Sequence, residues 1–416
     1  MALTITGARL DGGLVGLRAD GPTISELGPD VSPRPGDEVL DAAGLALVPG
    51  LVNAHTHAAM TLFRGYADDL PLMQWLEGYI WPAERRLARE DVYWGTRLAC
   101  LEMARSGTVR FWDMYWKHAE TARAVRDAGL RAVIGAPLID GKDPAGSPKL
   151  LAKARRAIDE IEQAGDGAAI AALAPHAIYT VSEPSLRGIA EISAERQVPV
   201  EIHLSETEGE VGECLRETGV RPAHYLDRCG LLGPRTLLAH CVWLDRDEID
   251  LIAERGATMV TNPVANLKLA VGGVFPYLEA RDAGAQVGLG TDGAGSNNSL
   301  DLLDDVKAFA LIQKHVAAEP AAVTAGEAWE IATGRRSKLI GGRAPEAGAP
   351  ADFALVRLDS PGLALGALDA GLVYSADASA VAATVVGGRV VYRQGERAEA
   401  DEIVARARER AEALLG

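Results

Sequence analysis

Apolar and polar positions along the chain fall into two textures. Residues 45–52, 108–114, 131–139, 168–175, 198–204, 236–242, 257–261 and 285–289 are short runs rich in Val, Ile, Leu and Ala, each followed by a polar loop and a stretch with helical spacing. Runs without strict alternation read as strands covered on both faces, the pattern of a parallel sheet with helices packed against it. Repetition of this unit with no linker predicts an α/β fold, a closed (β/α)8 TIM-like barrel over residues 51–345. A doubly wound sheet is the alternative, but it would gather its polar residues at one switch point. Here they follow nearly every run.

The chain ends differ. Residues 3–6, 14–18 and 23–27 are β-type runs broken by Gly, Pro and Asp, and residues 353–357, 384–386 and 389–392 repeat the texture. Gly387-Gly388 between the last two is a hairpin signal. Together the ends predict a small β-sandwich domain from residues 1–50 and 346–416, in which Ile403, Ala407, Ala411 and Leu414 mark an amphipathic terminal helix.

Composition then excludes function classes. Acidic residues outnumber basic ones 58 to 42, and the net charge of −16 repels nucleic acid and anionic membrane, so neither is expected as a partner. No apolar stretch reaches the roughly 18 residues of a spanning helix, and the N-terminal stretch has no basic segment leading into an apolar one. A cytoplasmic location is expected. Cys100, Cys214, Cys229 and Cys241 form no C-x-x-C pair, which excludes a disulfide framework, a thiolate zinc site and the zinc deaminases built on such a pair. No Walker loop, G-x-S-x-G elbow or dinucleotide-binding G-x-G-x-x-G turn is present, so no nucleotide cofactor is expected.

Candidate chemistry sits at the ends of the predicted strands, where a barrel places its active site. These ends carry His55 and His57, His176, His203 with Glu206 after it, His240, and Asp292. Side chains two apart on a strand share a face, so His55 and His57 can offer nitrogens to one ion. With His203 and Asp292 they make an open set that suits zinc or ferrous iron and leaves room for a water, whose pKa such an ion lowers to about 7. The fourth strand ends in His176 rather than in a lysine that could bridge two metals, so one divalent ion is expected. Glu206 is placed to shuttle a proton, His240 to take or orient the proton of the attacking water, and Asp292 to act as both ligand and acceptor. Against this, Glu206 belongs to an acidic run with Glu208, Glu210 and Glu213 that elsewhere would be a solvated helix face. His176 also reads as a core histidine, Trp75 and Trp81 taken singly read as packing, and His118, His224 and His315 as surface or packing residues.

The strings Pro49-Gly50-Leu51-Val52-Asn53-Ala54-His55-Thr56-His57, His203-Leu204-Ser205-Glu206-Thr207, Ala239-His240-Cys241 and Gly290-Thr291-Asp292-Gly293 resemble the amidohydrolase superfamily over essentially the whole chain. The resemblance is to its purine, cytosine and triazine aminohydrolases. Met60-Thr61-Leu62-Phe63-Arg64-Gly65, Leu72-Met73-Gln74-Trp75-Leu76, Trp81-Pro82-Ala83-Glu84, Asn262-Pro263-Val264-Ala265-Asn266-Leu267-Lys268-Leu269 and Ser296-Asn297-Asn298 look like the 5-methylthioadenosine/S-adenosylhomocysteine deaminases. That resemblance implies one zinc, or alternatively iron, on His55, His57, His203 and Asp292. Glu206 would protonate the substrate ring, His240 would assist water, and His176, Trp75, Ser296 and Glu84 would contact a purine nucleoside, Glu84 through the ribose hydroxyls. The implied reaction converts 5′-methylthioadenosine, S-adenosylhomocysteine, 5′-deoxyadenosine or adenosine to the inosine analogue and ammonia. Relatives also suggest a homo-oligomer.

Two departures stand out. Where members that accept S-adenosylhomocysteine place arginines, this chain has Gly135-Ala136-Pro137 and residues 141–149, with only Lys142 and Lys149 cationic. A lysine lacks the guanidinium fork that grips a carboxylate, so a small or apolar 5′ group is expected. Thr261 stands where relatives often carry histidine. Alternatives remain: a deaminase of aminodeoxyfutalosine, a pterin or 8-oxoguanine, a triazine hydrolase, or a catalytically silent metal-binding scaffold on the same barrel.

Overall fold

The structure is a computed structural model that describes residues 2–396 and 398–416. Its described strands open with β1 (Leu3–Leu10), β2 (Gly13–Asp20), β3 (Thr23–Gly28), β4 (Glu38–Asp41) and β5 (Leu45–Pro49). The middle supplies β6 (Leu51–Thr56), β7 (Thr108–Met114), β8 (Arg131–Leu138), β9 (Ala169–Pro175), β10 (Val200–Leu204), β11 (Thr236–His240), β12 (Thr258–Thr261) and β13 (Gln286–Leu289). The chain closes with β14 (Phe353–Arg357), β15 (Val381–Val386) and β16 (Arg389–Arg393).

Strands β6 to β13 pair in chain order, all parallel, as the repeated unit predicts. The ring is closed by the turn after β13: Asp292 N–H donates to His55 O at 3.0 Å, and Thr291 N–H to Asn53 Oδ1 at 3.0 Å. Gly290 permits this approach, because an added Cβ would collide with Asn262 Oδ1 and stand 2.9 Å from His55 N. Inside, Val52, Ala54, Trp112, Val133, Leu237 and Val260 form a packed plug. Outside, helices such as Arg89–Arg105, Ser147–Gly165 and Glu183–Arg196 bury their apolar faces on the strands.

The apolar run at 45–52 is not one barrel strand. Its first part is β5, which pairs antiparallel with β14, and the barrel begins only at Leu51. The switch falls at Gly50, where a Cβ would collide with the Val109 side chain. One continuous run thus serves two cores, and hydrophobicity does not mark where one gives way to the other.

The terminal segments form one sheet in the order β16-β15-β14-β5-β1-β2-β3, with β4 beside β1. The sheet curls over itself, and Ile24 N–H donates to Ala349 O at 2.9 Å beside a Thr23–Pro350 bridge. Leu3, Ile5, Leu17, Ile24, Phe353, Leu355 and Val385 fill the enclosed space, so the expected sandwich takes the form of a folded sheet. Gly387 and Gly388 make the β15–β16 turn with φ of +57° and +72°, values that suit glycine. Strand β4 escaped the sequence reading because only Val39 and Leu40 of its four residues are apolar, between two acidic ones. The terminal helix Ala398–Leu415 buries Ile403, Ala407 and Leu414, and Arg410 Nε holds Asp91 Oδ1 at 2.6 Å on the Arg89–Arg105 helix of the barrel. Among the described residues no helix is long and apolar enough to cross a membrane.

Gly290→Ala is expected to lower stability by about 1–3 kcal/mol, the usual cost of overpacking. Gly28→Ala, where a Cβ meets nothing within 4 Å, should stay within about 0.5 kcal/mol. Denaturant midpoints of the two variants check the pair.

Candidate active site

The strand ends that the sequence marked meet on one side of the barrel. His57, His176, His203, Glu206, His240, Asp292, Ser296, Trp75 and Glu84 all line a single cavity, with His55 buried directly behind.

Each of the three proposed imidazole ligands has its Nδ1 committed. His55 Nδ1 lies 2.7 Å from Glu201 Oε1, both residues fully buried. His57 Nδ1 lies 2.6 Å from Met114 O, and His203 Nδ1 lies 2.7 Å from His176 O. A carbonyl or carboxylate oxygen accepts, so each Nδ1 carries the hydrogen and each Nε2 is left with a bare lone pair. Those lone pairs converge. His57 Nε2 and His203 Nε2 are 3.4 Å apart, and Asp292 Oδ1 is 3.1 Å from His57 Nε2 and 3.5 Å from His55 Nε2. Both His55 Nε2 and Asp292 Oδ1 are buried without a hydrogen-bond partner. Bare nitrogens facing an orphaned carboxylate oxygen are costly unless a cation lies among them, and the donor set fits a divalent ion of the zinc or ferrous kind. A fourth imidazole, His240, groups with His55 and His203. Its Nδ1 lies 2.9 Å from Asn266 Oδ1.

Protons occupy part of this set when no cation does. Burial alone would lower the pKa of His55, but the Asp292 carboxylate beside it and the hydrogen bond that it gives to Glu201 outweigh that and raise it to about 10; His57 is raised in the same way by the nearby Asp292. Burial would raise Asp292, yet the two histidines hold it well below the carboxylate range. His203 is pushed well below the usual imidazole range by burial and by its histidine neighbours.

The turns that aim these groups are strained. Ser205, His240, Cys241 and Asp292 have φ of +50°, +73°, +51° and +63°, left-handed values that non-glycine residues rarely adopt. Asp113 grips the turn after β6 by accepting from Ala58 N–H at 2.5 Å and Thr56 Oγ1 at 3.1 Å. Ser296, expected at the substrate, gives its hydroxyl to Asp292 Oδ2 at 2.6 Å, which leaves Oδ1 for the ion.

Around the metal-fitting end, Glu206 is buried, its pKa raised by that burial, with Oε1 3.8 Å from His240 Nδ1. His176 Nδ1 faces Thr180 Oγ1 at 3.0 Å, and burial together with the surrounding histidines lowers its pKa to about 4, so it is a neutral imidazole. Trp75 and Trp81 border the cavity with Leu72, Leu76 and Ile80. Glu84 accepts from Trp116 Nε1 at 2.9 Å through Oε2, and burial raises its pKa.

Sequence reading missed Tyr115, Trp116 and Tyr179 on the cavity wall. The first two directly follow β7, and that strand-end position was the available signal. Two of the quoted strings prove to be braces. Asn266 holds His240, Asn297 Nδ2 donates to Thr291 O at 2.8 Å, and Lys268 Nζ joins Asp68 Oδ1 to Asn298 Oδ1 at 2.7 Å each. No Lys or Arg lines the cavity among the described residues. Lys142 pairs with Glu217, Lys149 is exposed, and Lys153 stands outside the wall, over the Trp116 ring at 5.6 Å with Nζ on Pro137 O at 3.0 Å. Thr261 is buried at the end of β12 and takes no part in the ligand set.

The family description that matches this chain, over residues 46–391, is the amidohydrolase family. The chain belongs to it. This amidohydrolase is 44% identical to a 5′-deoxyadenosine deaminase of Methanoregula boonei, across 92% of this chain and 88% of that one. It is 43% identical to a 5-methylthioadenosine/S-adenosylhomocysteine deaminase of Moorella thermoacetica, across 90% of this chain and 88% of that one. Among solved structures, an adenosine deaminase of Xanthomonas campestris with bound zinc superposes with a TM-score of 0.91 at 32% identity, covering 99% of this chain and 98% of that one.

Because His55 carries a proton up to about pH 10 in the metal-free site, the amidohydrolase must release protons to take up zinc. Apparent zinc affinity is therefore expected to rise steadily from pH 6 to pH 9, by up to about tenfold per pH unit for each displaced proton. Competition against a chromophoric chelator measures it, and a flat profile would contradict the assignment.

Proposed function

We propose that this enzyme hydrolytically removes the amino group of an adenosine-type nucleoside, using one zinc ion, to give the inosine analogue and ammonia. One observation carries the reading. A single cavity has Glu206, His240 and Asp292 beside the converging imidazole nitrogens, and elsewhere on its wall a half-buried carboxylate, Glu84, held by Trp116. The names of the relatives and the zinc in the Xanthomonas campestris protein support it. In the same reading residues 51–345 carry the chemistry, residues 1–50 and 346–416 brace it, and the enzyme acts on a cytoplasmic small molecule.

His55, His57, His203 and Asp292 would hold the ion, which when bound supplies a water acidified to about pKa 7. Glu206, its pKa raised by burial, keeps a proton further toward neutral pH than an exposed carboxylic acid does. It delivers that proton to the ring nitrogen beside the carbon bearing the amino group, and the carbon becomes electrophilic. His240, with Nδ1 on Asn266, presents Nε2 to the proton of the attacking water, and Asp292 accepts in turn. One proton of that water passes to the departing amine, the carbon–nitrogen bond breaks and ammonia leaves, while the other returns to Glu206 as the new carbonyl forms. His176 offers its free nitrogen to the base, Trp75 covers it, and Glu84 accepts from the ribose diol.

The 5′ end of the substrate follows from charge. Relatives of nearly equal identity carry both names, so identity does not choose between them. The wall does. Met114, Trp116, Pro137, Ile139 and Leu72 line it with no cation among them, and a distal carboxylate would be desolvated there without a partner. A small apolar 5′ group, as in 5′-deoxyadenosine or 5′-methylthioadenosine, is the substrate this reading selects.

Ammonia release from zinc-loaded enzyme is expected with kcat/KM for these two at least about tenfold above S-adenosylhomocysteine, a difference of about 1.4 kcal/mol. Equal values would overturn the 5′ assignment, and silence with every nucleoside would overturn the function. Glu206→Gln is expected to lower kcat by about 10²- to 10⁴-fold with zinc retained. Glu84→Ala should lower kcat/KM by about 10- to 100-fold, the worth of one or two hydrogen bonds to a charged group, and should not affect a 2′,3′-dideoxy substrate. Steady-state kinetics of the two variants test these roles.

A further inference from the structure

Glu206 lies on neither a strand nor a helix. It sits in the turn between β10 and the helix Glu208–Thr218, one residue after Ser205 with its left-handed φ of +50°. The backbone N–H groups of Ser205 and Glu206 both meet the same side chain. Glu210 Oε1 accepts from Ser205 N at 3.0 Å, and Glu210 Oε2 accepts from Glu206 N at 2.9 Å. Glu210 is 5% exposed, in the first turn of the helix. The turn is tied onward: Ser205 O accepts from Val242 N at 3.1 Å and Trp243 N at 2.8 Å, just after His240. The segments carrying Glu206 and His240 are thus one hydrogen-bonded unit.

The helix itself does not require this. Thr207 already caps it, its hydroxyl accepting from Glu210 N. A buried carboxyl group bonded through both oxygens to two successive N–H groups is a two-point clamp on a strained turn, and its burial is costly unless those bonds are made. We propose that Glu210 is a positioning residue for proton transfer, its clamp fixing where the Glu206 carboxyl stands beside His240 and Asp292. The proposal rests on the deamination reading for the role of Glu206. Its partner in the acidic run, Glu208, faces solvent and carries no such bonds.

Glu210→Gln keeps the shape but turns an NH2 toward one of the two N–H groups. It is expected to lower kcat about 10- to 100-fold, as a misplaced reacting group does, while KM and zinc content hold at temperatures where the variant stays folded. In a Glu206→Gln background the same change should lower kcat no further, because it acts through Glu206. Hydrogen exchange at the Ser205 and Glu206 amides should speed up in Glu210→Gln. Wild-type kcat in Glu210→Gln, an undiminished effect in the Glu206→Gln background, or loss of zinc and KM together with kcat would each overturn the proposal. If wild-type enzyme deaminates no nucleoside, the deamination reading falls, and exchange still decides the clamp. If Glu210→Gln does not fold, wild-type exchange decides: protection of the two amides like that of β10 is expected, and fast exchange overturns the clamp.

Discussion

The rest of the structure depends on the commitment of three imidazole Nδ1 atoms. Glu201, the Met114 carbonyl and the His176 carbonyl each take one hydrogen, from His55, His57 and His203 in turn. These acceptors fix both tautomer and ring plane, so the Nε2 atoms of His55 and His57 are aimed at Asp292 Oδ1 and that of His203 at His57 Nε2. Glu201 lies two residues before His203 on the same strand, so β10 supplies one ligand and the acceptor that orients another. Such an arrangement is unfavourable without a cation, and the barrel is built to hold it in place.

What holds it is backbone. Closure of the ring through Gly290 brings Asp292 to hydrogen-bond distance of the His55 carbonyl. Ser205, His240 and Asp292 then sit in left-handed turns, each with a dedicated brace: Glu210 on the first, Asn266 on the His240 ring, Ser296 on the Asp292 carboxylate. Strain at these positions is sustained by the packed plug beneath and the helices outside. The same braces leave the side chains of Glu206, His240 and Asp292 facing one cavity with mostly apolar walls.

Much of this could be read from the chain. Parallel strands covered on both faces leave near-continuous apolar runs, and polar residues after each run stand out against them, which made the barrel, His55, His57, His176, His203, His240 and Asp292 visible. Partners across the barrel were not visible. Glu201 is a lone carboxylate inside an apolar run, and nothing local says that it faces His55 from the other side of the ring. Glu210 reads as part of a solvated acidic face until the turn at Ser205 is seen to curl onto it. The split of the 45–52 run at Gly50 was hidden for a related reason, since two different cores ask for the same residues. Tyr115 and Trp116 followed a strand end like the histidines did, but aromatic residues there pass for packing.

The central claim is that the converging nitrogens form a mononuclear metal centre. X-ray absorption at the zinc edge of metal-loaded protein tests it most directly. The account predicts one zinc per chain with nitrogen and oxygen neighbours only, at about 2.0–2.2 Å, and the multiple scattering of three imidazoles. A sulfur neighbour at about 2.3 Å, a second metal close by, or a spectrum with no imidazole contribution would contradict it.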